Sequence, residues 1–302
     1  MKLFHSSRMM LVVLALFAFV GTGFAQDFGL SPEDMQALMS ANALSSDFSS
    51  LAFDIYLDAE IAGETTSTVT TEGQGLIVVG DDGSFQFQLT MVGAVDDLVY
   101  DMEVRVVDDQ FYVRGITPDG AWVIGTPEDT EALLESQGMP LDMEALSSGD
   151  LSGLGLDDSS MGAIMSALSS VDPATLIAMS KETTDEGDAF VIELLVNDFI
   201  NSPAFIEIIA AALVATEGIT IEEATVSAEQ TAGLMVGILA ETEFAITQWV
   251  NAEGMVDETN VYVSVPVGGV TADFSVVFTE YNPAATVEAP EGAISFDEAF
   301  PQ

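Results

Sequence analysis

The chain has no cysteine, one histidine and five basic residues against 50 acidic ones in 302. His5, Lys2 and Arg8 all fall in the first 25 residues, which hold no Asp or Glu. Beyond them the cations are Arg105, Arg114 and Lys181, and losing two bases takes the formal charge from −45 to −47. Each absence removes a class of chemistry. Without His or Cys there is no Ser-His-Asp triad, no Cys-His pair and no zinc site of the usual kind. Three cations cannot neutralise a run of phosphates, so nucleic acid is not an expected partner. Disulfides are impossible, so oxidising surroundings cannot cross-link the chain. After residue 25 no apolar run approaches the roughly 20 residues of a membrane span. The longest, Ala204 to Ala215, is interrupted by Glu207.

The first 25 residues read as a secretory signal peptide. Lys2 and Arg8 form a positive leader, Met9 to Val20 is apolar, and Gly23-Phe24-Ala25 puts small residues at the cleavage positions before Gln26. An uncleaved anchor is the other reading of the same run, but it is short for a span. A lipoprotein would need Cys at the first mature position, where Gln26 stands. The expectation is an exported chain, periplasmic or extracellular, with residues 26–302 as one domain and residues 31–289 as its core. The chain is 49% hydrophobic and only 18% charged, so its acidity comes from missing bases more than from extra acids. Salt adaptation and a solubilising acidic surface both fit that balance.

Local signals then place the elements. Ser31-Pro32-Glu33-Asp34 starts a helix, with Ser as N-cap, Pro at the first position and acids in the first turn, running to about Leu44. From Leu51 the period becomes two, with Phe53, Ile55, Leu57, Ala59 and Ile61 against Asp54, Tyr56, Asp58 and Glu60. A meander follows. It takes in Thr66 to Val79, with bends at Gly73 and Gly75, then Phe85 to Met91, Tyr100 to Val106, Phe111 to Arg114 and Trp122 to Ile124. Helices are expected after Thr126-Pro127, over Ser160 to Leu168, and from Asp172-Pro173 through Leu176 and Ile177. A strand over Phe190 to Val196 precedes a helix capped by Ser202-Pro203. Ser227 with Gln230 reads as the capping box of a second apolar helix. Strands over Phe244 to Val250, Val261 to Val265 and Ala272 to Thr279 close the fold, before an isolated strand over Thr286-Val287-Glu288. The two late helices are apolar nearly all round and need cover on several sides. The expected class is α+β, an unclosed antiparallel half-barrel wrapped around apolar helices.

That order of elements carries a resemblance. It rests on the pair Phe111-Tyr112-Val113-Arg114 and Gly120-Ala121-Trp122-Val123, the late Trp249, and Phe278-Thr279-Glu280-Tyr281-Asn282-Pro283. The chain resembles the bacterial lipoprotein-carrier (Lol-type) fold, and more closely the lipid-binding cell-envelope lipoproteins first known from mycobacteria, though it lacks their anchoring Cys. The resemblance implies a barrel that does not close, with an apolar space for acyl chains, and no universal catalytic residue.

The candidate lining of such a space is Met161, Met165, Leu168, Phe205, Ile209, Leu213, Met235 and Leu239, with Met139 and Met143 nearby. Methionine adapts its shape to variable chains; ordinary core is the alternative for each residue. Arg105, Arg114 and Lys181 are open to two roles, an anionic headgroup at a cavity mouth or a plain ion pair. Asp81-Asp82-Gly83, Asp157-Asp158 and Asp257-Glu258 have calcium-binding oxygens but match no EF-hand loop and equally suit acidic turns. Nothing selects a catalytic carboxylate pair among so many acids. The expected activity is non-catalytic binding or carriage of a lipid or other amphiphile, with no cofactor and no metal. The alternative is an envelope interaction module with a self-filled core that meets a basic protein partner.

Overall fold

In the computed structural model the described residues are 28–63, 66–80, 84–96, 98–108, 110–126, 176–184, 187–217, 219–239 and 241–300. The signal-peptide reading and the helices expected between Thr126 and Asp172 lie outside them. The elements in chain order are α1 (Pro32–Ser46), β1 (Ser50–Ile61), β2 (Ser67–Val79), β3 (Phe85–Val95), β4 (Leu98–Val107), β5 (Gln110–Arg114) and β6 (Val123–Gly125). Then come β7 (Ile177–Thr183), β8 (Asp188–Leu194), α2 (Val196–Ile200), α3 (Pro203–Glu217) and α4 (Ile221–Leu239). The chain ends with β9 (Glu243–Val250), β10 (Val256–Val265), β11 (Val270–Tyr281), β12 (Ile294–Ser295) and α5 (Phe296–Ala299).

The twelve described strands form one sheet, in the order β12-β6-β5-β4-β3-β2-β1-β11-β10-β9-β8-β7. Among them only the β12–β6 pair is parallel. β12 and β7 do not meet, so the sheet is open: the fold is α+β with an unclosed, mostly antiparallel sheet. Two-residue turns join β3 to β4 and β4 to β5, where Val95 faces Leu98 and Val107 faces Gln110. Asp96 and Asp108 supply the positive φ that such turns require.

Register fixes what each face carries. Phe53, Ile55 and Leu57 of β1 line up with Phe278, Val276 and Phe274 of β11, and with Gly75, Gly73 and Thr71 of β2. The same row continues through Leu89 and Met91, then Val104 and Met102. On the other side it runs through Val261 and Val263 to Ile246 and Ile192. The opposite face holds Asp54, Tyr56, Asp58 and Glu60 with their neighbours Gln74, Glu72, Ser275 and Asp273. One face is therefore apolar across nearly the whole sheet and the other largely polar. α1 lies on the apolar face at one end, where Leu38 and Ala41 pack with Phe190, Val250 and Val256, and Phe278 adjoins them.

Gly73 and Gly75 make room for neighbouring side chains. A Cβ on Gly75 would strike the Phe53 ring, and one on Gly73 would meet Ile55 and Met91. The aromatic ring thus covers the strand where a side chain is missing.

Four expectations are corrected. The Ser227–Gln230 pair is interior to α4 and caps nothing. That helix starts seven residues earlier, where Thr220 Oγ1 accepts from the Glu223 N–H and Glu223 accepts from Thr220. Ile177 is strand, not helix: it is buried and pairs with Leu194. Val196 opens α2 instead of ending a strand. The Thr286-Val287-Glu288 segment has no ladder of its own. It crosses the polar face as a strap, with the Val287 N–H on Gln86 and the Glu288 carbonyl on Arg105. The pairing strand comes later, at Ile294–Ser295.

Candidate functional site

Of the residues expected to line an apolar space, Met161, Met165 and Leu168 lie outside the described residues, as do Met139 and Met143. Phe205, Ile209, Met235 and Leu239 come together in one cluster around Ile200 and Ala232. Leu213 belongs to the next cluster, around Ala210, Ala224 and Ala228. Ala210 of α3 packs with Ala224 and Ala228 of α4, whereas Gly233 and Gly237 face open space among the described residues. Both clusters are built from α2, α3, α4 and the residues joining them, with no sheet residue in either. Phe199 meets Phe205 edge-on, with ring centroids 5.2 Å apart. Among the described residues this is a helical hairpin with its own core.

The larger apolar surface is the sheet face. Phe53, Ile55, Leu57, Leu89, Met91, Met102, Val104, Val261, Val263, Phe274, Val276 and Ile246 are each only half-buried. The Phe53 and Phe87 rings stack 6.4 Å apart on it. A packed core strand would bury such side chains almost completely. The period-two pattern marked these rows in β1, β3 and β4. What it could not show was that register joins them into one surface.

Among the described residues the three cations, Arg105, Arg114 and Lys181, all have partners. Glu103 is buried on the polar face and holds two of them, with Arg105 at 2.6 Å and Arg114 at 2.9 Å. Both guanidinium groups sit over the Trp122 ring, 5.0 and 5.4 Å from its centroid. Arg105 also donates to the Glu288 carbonyl of the strap at 2.9 Å, so the cluster ties strap to sheet. Beside it Val107, Tyr112 and Val287 form a small core. Lys181 bridges Asp34 of α1 at 2.8 Å and Asp188 of β8 at 2.9 Å. The hydrogen bonds from Lys181, and next from Ser31, hold the Asp34 carboxyl below its ordinary range. Lys181 and then Thr183 do the same for Asp188. The two carboxylates in turn raise Lys181 above its ordinary value.

An open cleft of about 390 Å³ lies between α1 and the β7–β8 and β9–β10 turns, near Leu44, Thr183, Asp188 and Asn251. Val250 borders it, but Phe205, Ile209, Leu213, Met235 and Leu239 do not line it. Asp257 and Glu258 belong to β10 rather than to an acidic turn, and Asp257 accepts from Asn251. Asp81-Asp82-Gly83 and Asp157-Asp158 lie outside the described residues. Among the described residues no group of three or more metal-ligating side chains comes together. No described helix is long and apolar enough to cross a membrane.

No protein-family model and no curated protein matches the chain. Among solved structures it is similar to LprF from Mycobacterium bovis, at 9% identity and a TM-score of 0.36, over 86% of this chain and 98% of that one. It is similar to a DUF1329 family protein from Desulfovibrio piger, at 10% identity and 0.26, over 86% and 96%. A domain from Vibrio parahaemolyticus, assigned as an outer membrane lipoprotein-sorting protein, aligns at 8% identity and 0.24, over 84% and 93%. At these values the likenesses are distant.

Proposed function

We propose that the chain is exported, is cleaved after Ala25, and binds or carries an amphiphile such as a lipid or a protein-linked acyl chain without transforming it. The observation that carries this reading is the apolar sheet face. It runs from Met102 and Val104 on β4 to Ile192 on β8, interrupted by Thr71, Thr259 and Gln248, and its apolar side chains stay half-buried. A surface of that kind is unfavourable in water, and each methylene laid on it contributes about 0.8 kcal/mol. Phe205, Ile209, Leu213, Met235 and Leu239, with Met161, Met165 and Leu168, are proposed as further lining. The chemistry of the chain supports binding rather than catalysis: it has no cysteine, and the perturbed carboxylates among the described residues are all lowered by fixed partners, Asp34 and Asp188 by Lys181, Asp119 by the Ala121 N–H and Glu223 by Thr220.

The test is mass spectrometry of an organic extract from the mature protein, purified without detergent, together with uptake of a fluorescent fatty-acid probe. A stoichiometric lipid and saturable uptake are expected. A clean extract with no uptake would sink the reading. The self-packed α3–α4 hairpin favours a second reading, an envelope interaction module, and that outcome would move the weight to it.

A further inference from the structure

Register brings three turns to one end of the sheet. Ile61 at the end of β1 pairs with both Ser67 and Val270. Val69 pairs with Val95, Val95 with Leu98, and Val265 with Val270. The β1–β2, β3–β4 and β10–β11 turns therefore stand side by side along a rim about 24 Å wide, five spacings of about 4.8 Å. This rim carries the two most exposed large apolar side chains among the described strand residues, Leu98 at 76% and Val99 at 75%, together with Ile61 and Val95 at 46% and 40%. Val267, in the turn between β10 and β11, is 62% exposed.

The rim is built to hold these side chains out. The Asp96 carboxylate turns back to accept from the Thr68 N–H at 2.8 Å and Ser67 Oγ at 3.1 Å, which fixes the β3–β4 tip and keeps that acid off its apolar crest. At the other turn Gly269, at positive φ, accepts from the Ala62 N–H at 2.6 Å and locks β1 to β11. Fixed turns present apolar side chains with little further ordering cost. Ile61, Val95 and Leu98 also lie on the same rows as the apolar face, so rim and face are continuous.

We infer that this rim docks on a neutral, zwitterionic lipid surface. The inference deepens the amphiphile-binding reading and rests on it for what the contact would deliver. Charge selects the occupant. The ionisable groups among the described rim residues are the carboxylates Glu60, Asp96, Glu241 and Glu243, while Arg105, Arg114 and Lys181 are paired elsewhere. An anionic bilayer would be repelled over roughly a Debye length, and so would a second copy of this chain. A zwitterionic surface imposes no such penalty and accepts Leu and Val at its boundary.

The test is co-sedimentation of the mature chain with phosphatidylcholine vesicles and with phosphatidylglycerol vesicles, in about 10 mM and about 150 mM salt. Binding to phosphatidylcholine is expected at both, with phosphatidylglycerol weaker at low salt. The double variant L98D/V99D should lose about tenfold in phosphatidylcholine affinity while its melting temperature holds. Should that variant unfold, V267D decides by the same reading. No binding to phosphatidylcholine, a preference for phosphatidylglycerol, or binding undiminished in both variants overturns the inference. Fatty-acid probe uptake separates it from the carrier reading. Vesicle binding without uptake leaves the rim in place and removes the carrier role. Uptake without vesicle binding does the reverse.

Discussion

At the scale of single residues, Glu103 is the polar position where one change should be felt. It is the buried carboxylate between two guanidinium groups, and Gln88 donates to it as well. Glu103→Ala would leave Arg105 and Arg114 stacked on Trp122 with no counter-charge. Breaking a fully buried pair costs about 3–5 kcal/mol, but the Arg114 side chain is 43% exposed and water can reach it. A loss of about 2 kcal/mol is therefore expected in urea unfolding, with Glu103→Gln, which keeps an acceptor, losing less. An unchanged midpoint for Glu103→Ala would mean the cluster holds nothing together. The sequence offered Arg105 and Arg114 two roles, headgroup contact or ion pair, and the fold places both in an ion pair. Their partner, Glu103, was one acid among 50 and carried no local mark. Only the β4–β5 pairing, which sets Glu103 opposite Arg114, picks it out.

At the scale of elements, α1 and the hairpin show where local signals suffice and where they fail. Ser31, Pro32 and Asp34 announced the start of α1, and the Ser31 cap is there at 3.1 Å. Ser202 likewise caps α3 through the Phe205 N–H. Ser227 and Gln230 matched the same box and were wrong, because Thr220 and Glu223 satisfy it first and the helix runs through the later pair. Strand existence was legible from period two, whereas β12 and the strap at 286–288 were not, since parallel pairing and crossing depend on a distant partner. What fastens α1 to the sheet was also invisible: Lys181 on Asp34, and Asn42 with Gln248. This anchorage has a pH signature. Asp34 and Asp188 are lowered in the fold, so their contribution is present above the ordinary carboxylate pKa of about 4 and is lost as pH falls through the lower folded values. Lys181 is raised, so its contribution is present below about 10.4 and is lost as pH rises through its folded value. Lys181→Met should lower the melting temperature by a near-constant amount from about pH 5 to about pH 9, and the gap to wild type should close in stronger acid and stronger base. A gap independent of pH would show that the lysine acts through its aliphatic stem on Phe190 alone, whose ring centre lies 5.6 Å from Nζ.

At the scale of the whole molecule, the charge imbalance and the open apolar sheet pull in opposite directions. The described ion pairs use three cations, and the great majority of the 50 carboxylates have no cation to meet. Repulsion among them opposes the compact state and also keeps copies of the molecule apart. That second effect is needed, because a half-buried apolar face with an exposed rim is otherwise an aggregation surface. Salt should therefore act in one direction on stability. Screening weakens many repulsions and few attractions, so between about 10 mM and about 300 mM sodium chloride the melting temperature should rise, by at least about 2 °C if self-repulsion amounts to roughly 1 kcal/mol. Replacing the salt with sucrose at equal osmolality controls for preferential exclusion, which strengthens burial without screening charge. A melting temperature that falls with salt would mean that the four described ion pairs outweigh the unpaired acids. The same titration bears on association. As screening removes the repulsion, light scattering should show the onset of self-association through the apolar surface, and L98D/V99D should postpone it to higher salt.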